Sequence, residues 1–173
     1  MDAFHNEQIP IDALPKYELV TFVPLEKQYM NIIYFNILVF LLLLGGGIIT
    51  MYFFTVFIKE QLLWVLGGYF VVALLVFYIN TISFSKRGYV LRDKDMIYRR
   101  GILSTNTTII PVNRVQHVAI HEGIISRIYG LSEIQIFTAG GGEGNLNIPG
   151  LLKSDAENIK EFLLNKINNE VLQ

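Results

Sequence analysis

Two long apolar runs fill the first half of this chain, and short alternating segments fill the second. No charged residue occurs from Tyr29 to Ile58, and none from Leu62 to Ser85. Crossing about 30 Å of hydrocarbon takes roughly 20 apolar residues in a helix. The runs therefore predict two transmembrane helices, about 29–58 and 62–84, within a segment 29–85. Residues 1–28 form a polar arm before them, and 86–173 a separate domain after them. A signal peptide fits poorly. The arm carries Asp2, Glu7, Asp12, Glu18 and Glu26 against Lys16 and Lys27, and the first run is too long for a signal core.

The link Lys59-Glu60-Gln61 permits only a tight helical hairpin, so both chain ends lie on one side. Basic residues stay on the cytoplasmic side, and Lys86, Arg87, Arg92, Lys94, Arg99 and Arg100 follow the second run, opposed only by Asp93 and Asp95. Both termini are thus expected to be cytoplasmic. With the turn near residue 60, Gly45, Gly46 and Gly47 would lie level with Val72–Leu75, including Ala73, and Gly67 and Gly68 with Tyr52 and Phe53. Small residues let helices approach closely in lipid. These positions are candidate helix-packing residues, within the hairpin or against another subunit. Neither run holds an ionisable Asp, Glu, Lys, Arg or His, the residues on which proton relays and ion paths depend. A transporter acting alone is not expected.

Beyond residue 86 the period becomes two. Tyr89–Leu91 and Met96–Arg100 flank the polar turn Arg92–Asp95, a hairpin signal. Thr107–Ile110 is β-branched and ends at Pro111; Arg114–His121 follows. In Glu133–Thr138, Ile134 and Ile136 share a face. The stretch TAGGGEGNLNIPG at 138–150 lacks the lysine and helix of a phosphate loop. It reads as a hairpin whose glycines supply positive φ or room for close approach, with a second strand at Asn145–Ile148. Ser154-Asp155-Ala156-Glu157 reads as a capping box. It opens a helix whose Ile159, Phe162, Leu163 and Ile167 make one apolar stripe. Six or seven short strands closed by an amphipathic helix result.

Composition adds little to this pattern. The chain of 173 residues is 52% apolar and has no cysteine, which removes disulfides and thiolate metal sites. His117 and His121 on one strand would stand roughly 13 Å apart, too far to share an ion. No serine has the nucleophile-elbow context, and no catalytic constellation is visible. Neither enzymatic activity, a metal nor a cofactor is expected. Residues 101–173 carry five basic against seven acidic side chains, so nucleic-acid binding is not expected. The six-cation cluster remains a candidate contact for anionic lipid headgroups. Arg114 and Arg127 are candidate partners of Glu122 or Glu133.

The chain resembles the bacterial pleckstrin-homology-like domain of YdbS-type membrane proteins. The resemblance is carried by Arg100-Gly101-Ile102-Leu103, Thr108–Pro111, Arg114–Val118, Gly123, Arg127–Leu131 and Thr138–Gly141, and covers residues 30–170. It implies an α+β PH-like fold, a small antiparallel barrel of about seven strands capped by a C-terminal helix, carried on a membrane hairpin in the bacterial cell membrane. It implies no established chemical activity. Expected partners are membrane lipids, further copies of the chain, or other PH-like membrane proteins. The alternatives are an accessory subunit of a transport or envelope-stress system and a lipid-sensing module.

Overall fold

The structure, a computed structural model, describes residues 20–55, 60–102, 104–139 and 144–171, the last four by backbone alone. A two-residue strand β1 (Val23–Pro24) precedes helices α1 (Tyr29–Phe54) and α2 (Leu62–Ser85). Then come β2 (Gly88–Leu91), β3 (Asp95–Arg100), β4 (Asn106–Pro111), a 3-10 turn (Val112–Arg114) and β5 (Val115–His121). A short helix α3 (Ile124–Ile128), β6 (Leu131–Thr138), β7 (Leu146–Leu152) and helix α4 (Lys153–Val171) complete it.

Both long helices are apolar and long enough to cross a bilayer. They pack along one narrow seam. Between residues 34 and 52 the shielded positions on α1 are Tyr34, Ile37, Leu41, Gly45, Ile48 and Tyr52; between 62 and 80 those on α2 are Leu62, Val65, Tyr69, Ala73, Val76 and Asn80. Each series steps by three and four residues, the spacing of one helix face meeting another. The Tyr34 and Thr81 hydroxyls lie 3.2 Å apart, and Tyr69 donates to the Leu41 carbonyl at 3.2 Å. Tyr34 stacks on Phe77.

The expected register changes accordingly. Gly45 faces Tyr69, not the 72–75 segment. A Cβ placed on Gly46, Gly47, Gly67 or Gly68 would meet nothing within 4 Å, so these four lie outside the contact, while Ala73 lies on it. Helix α1 ends at Phe54, four residues before the charge-free run does.

The domain holds two antiparallel sheets, ordered β1-β2-β3-β4 and β5-β6-β7. Their inner faces supply Met96, Tyr98, Val118, Ile134, Ile136 and Ile148, joined by Ala156, Ile159 and Leu163 of α4. Alternation explains the strands, and the stripe on α4 explains its docking. The helix begins at Lys153, directly after β7, so Ser154 lies inside the first turn rather than ahead of it. No loop separates strand from helix to place a capping serine. β7 also runs through Pro149-Gly150 to Leu152, past the expected end at Ile148. Gly140–Glu143 lie outside the described residues. Gly144 is not in the positive-φ region, but a Cβ there would sit 2.2 Å from the Thr138 hydroxyl. Close approach is thus the reason for glycine at this end of the hairpin.

Residues 22–26 of the arm pack on the domain. Val23 and Pro24 pair with Tyr89 and Gly88, Leu25 is buried in the core, and the Glu26 amide donates to the Gly150 carbonyl at 3.0 Å. This segment therefore bridges the first sheet to the last strand of the second. Residues 1–19 lie outside the described part.

Candidate functional site

The neck, where the helix pair meets the barrel, concentrates the unusual chemistry. Lys86 and Arg87 directly follow α2. Arg99 pairs in register with Gly88, which brings Arg99 and Arg100 to the same end of the sheet. Lys86 Nζ donates to the Ile102 carbonyl at 3.2 Å, and Arg87 Nη2 donates to Ser83 Oγ at 3.3 Å. The Arg99 guanidinium lies 4.0 Å over the Phe22 ring. Among the described residues none of these four cations has a carboxylate partner, and Arg87 Nε is buried without any partner.

Arg92 and Lys94, which the sequence grouped with them, lie at the other end of the β2–β3 hairpin. The strand from Gly88 to Leu91 separates the two ends by roughly 10 Å. Arg92 is bidentate to Asp95, and Asp93 pairs with Lys166 at 2.5 Å. The cluster thus divides into an uncompensated group at the neck and a neutralised group at the far tip. Sequence order hid this, because a hairpin places its first and last residues together and its middle far away.

Clefts that border the neck cations open on two sides. One, of about 320 Å³, lies between the helices and is lined by Tyr29, Asn36, Asn80 and Arg87 with Ile37 and Phe40. The other, of about 310 Å³, is formed by Ser85, Lys86, Arg99 and Thr105. The first has polar groups beside an apolar wall; the second has two cations beside two hydroxyls. Both have the chemistry to hold an anionic headgroup. Asn36 and Asn80 carry no signal in the sequence beyond being rare amides near the ends of apolar runs.

The arm is seated at the neck by two glycines. A Cβ on Gly88 would lie 3.1 Å from that of Phe22, and a Cβ on Gly150 only 2.5 Å from Tyr29 Cγ. Gly150 also has φ +71°, a region that L side chains rarely occupy. The Pro149-Gly150 dipeptide is a turn signal that could have marked this position.

The remaining candidates separate. His117 lies against the Phe137 ring and His121 borders a different cavity; no metal-holding cluster occurs among the described residues. Glu122 joins Lys153 at 2.9 Å and Arg127 at 3.7 Å, so the Arg127 pairing forms. Arg114 has no ion pair among the described residues.

Ion pairing holds two carboxyls below their ordinary values: Glu122 through its hydrogen bond to Lys153, and Asp93 through its hydrogen bond to Lys166. A carboxyl whose folded value is lowered stabilises the fold above its unfolded value, and that stabilisation is lost as the pH falls through the folded value. The domain is therefore expected to lose thermal stability on acidification below about pH 4.5, the ordinary value for Glu122. The effect should be modest, because each pair has one well-exposed partner, Lys153 in one and Asp93 in the other. Melting of the Lys153→Met variant across pH 3–6 should show a flatter acid limb; an unchanged limb would remove this pair from the account.

An open antiparallel barrel plugged by its C-terminal helix, borne on a pair of membrane-length apolar helices, defines a membrane protein with a PH-like domain. The chain belongs to the bacterial PH domain family, whose profile matches residues 19–167. That match begins in the arm and includes both helices. The chain is also similar to the transmembrane protein YdbT of Bacillus subtilis strain 168. The two are 30% identical over 54 residues, which is 31% of this chain and only 11% of that protein. No solved structure matches.

Proposed function

We propose that this is a non-enzymatic, membrane-anchored interaction module. Its hairpin crosses the bacterial cell membrane twice, both termini are cytoplasmic, and its barrel assembles with further copies or with related PH-like membrane proteins. The observation that carries the reading is the outer edge of β4. The first sheet ends there, and no strand pairs with that side among the described residues. Its Thr107, Thr108 and Ile109 are β-branched, and Ile109 is 43% exposed. An unpaired strand edge is a template for a strand from another chain. The neck cations support the orientation, because basic residues beside a span are retained on the cytoplasmic side.

Native mass spectrometry of the full chain from lipid nanodiscs tests this. A discrete homo-oligomer, or a complex with another PH-like membrane protein, is the expected result. Ile109→Lys should dissociate it without unfolding the domain, since the side chain is already partly solvated and a charge blocks edge pairing. A wild-type chain that remains monomeric and unaccompanied would overturn the reading.

The uncompensated neck favours a second reading, recognition of anionic lipid. Juxtamembrane cations each contribute about 1 kcal/mol near an anionic surface. The same spectra read it directly: phosphatidylglycerol adducts kept by the wild type should be lost on Arg87→Gln with Arg99→Gln.

A further inference from the structure

We propose that α3 is a third membrane contact, inserted into the headgroup–acyl boundary of the leaflet nearest the neck, with phospholipid as its occupant. The proposal rests on the reading of α1 and α2 as spans.

The exposure of α3 runs opposite to that of a water-facing helix. Ile124 is 88% exposed and Ile128 77%. One turn apart, they share a face, with the exposed Arg127 beside them. Ile125 and Ser126 are the more shielded positions. Elsewhere in the domain even the edge isoleucine Ile109 is only half as exposed. Two isoleucines so placed would leave apolar surface in water, about 25 cal/mol for each Å², unless something apolar receives them.

The position of α3 says what receives them. It packs on α1, and the cavity beneath it, about 350 Å³, is lined by Ile32 and Asn36 of α1 together with Ile124 and Ile125. Asn36 and Asn80 mark where side-chain polarity ends along the two helices. From Ile37 to Phe54 the chain offers only Thr50 and the Tyr52 hydroxyl as polar side chains, and that length at 1.5 Å per residue is about 27 Å, close to the hydrocarbon thickness. A helix seated against Ile32–Asn36 therefore stands within about one turn of the boundary. Interfacial helices bury their apolar faces roughly 5–10 Å there. The α3 isoleucines continue the lipid-facing surface of α1 sideways.

The surroundings fit a phospholipid. Tyr129, partly exposed, is an aromatic of the type that favours the interface. Arg127 and Lys153 share the carboxylate Glu122, and the Arg127 side chain is 77% exposed, free to reach a phosphate. The helix is also held firmly at both ends. The Arg127 amide donates to the Gly123 carbonyl at 2.9 Å, and the Lys153 amide to the Gly130 carbonyl at 3.2 Å. Gly130, at φ +65°, ends the helix and turns the chain back into β6.

The absence of cysteine makes site-directed spin labelling direct. Single-cysteine variants Ile124→Cys and Ile128→Cys, nitroxide-labelled, are reconstituted as full chains in phosphatidylcholine–phosphatidylglycerol vesicles. Collision with oxygen and with a water-soluble nickel chelate is then measured. Leu43→Cys, on an exposed face of α1, and Lys94→Cys, at the far tip of the barrel, are the references. At 124 and 128 the oxygen-to-nickel ratio should be several-fold above that at 94 and approach that at 43. Ratios like that at 94, with 43 still lipid-like, would overturn the α3 contact alone. Protection from both reagents would assign the face to protein and overturn it as well. A water-like reading at 43 would sink the spans and this contact together.

Discussion

Replacing Gly150 by alanine should destabilise the neck by roughly 2–5 kcal/mol, from a left-handed backbone and an overpacked contact combined. The added methyl would fall 2.5 Å from Tyr29 Cγ at φ +71°, and the carbonyl of the same residue holds the arm through Glu26. Neither partner can move freely: Tyr29 opens α1, and Gly150 sits in an irregularity of β7 between Ile148 and Leu151, both of which are paired with β6. Hydrogen exchange in nanodiscs should show lost protection over residues 22–29 and 146–152 before any change in α2. Tyr29→Ala should relieve the clash but not the backbone strain, so the double variant should be less destabilised than the two single effects added together. Strict additivity would show that the ring and the glycine do not meet.

Truncating Leu163 to alanine is the second large effect. This side chain is fully buried, at the centre of the face by which α4 closes the barrel. Core truncations of this kind cost about 2–5 kcal/mol, according to how far the site collapses. Leu164→Ala, one residue on and only partly buried, should cost far less, and Leu163→Met should cost below about 1.5 kcal/mol. Thermal melts of the three variants in one detergent give the comparison. Similar melting for Leu163→Ala and Leu164→Ala would mean that α4 is not the plug described.

Much of this was legible in the sequence, and what was not has physical causes. The apolar runs announced α1 and α2 because crossing lipid requires length without charge. Their mutual face was hidden: when lipid covers one side and a helix the other, every side is apolar and no period remains. Gly46, Gly47, Gly67 and Gly68 therefore looked like packing residues as much as Gly45 did. The hairpin about Arg92–Asp95 was visible from its polar turn, although β2 and β3 are buried on both faces; the shared face of Ile134 and Ile136 and the stripe on α4 were visible because their other sides are more polar and less buried. β1 was invisible, since two residues carry no alternation. α3 was equally hidden: a short helix between Gly123 and Gly130 whose isoleucines point outward contradicts the rule that apolar residues mark an interior. At the neck the cations were readable as a group, but their division needed the register of β2 on β3.

Because β1 lies ahead of the first helix and its partners lie after the second, the hairpin is an insert within the barrel, fastened by two chain connections rather than hung from one tether. The ribosome delivers β1 before the two apolar helices and its partner strand β2 only after them. β1 therefore waits unpaired until both helices have been made, and closing the barrel joins the chain on either side of the hairpin.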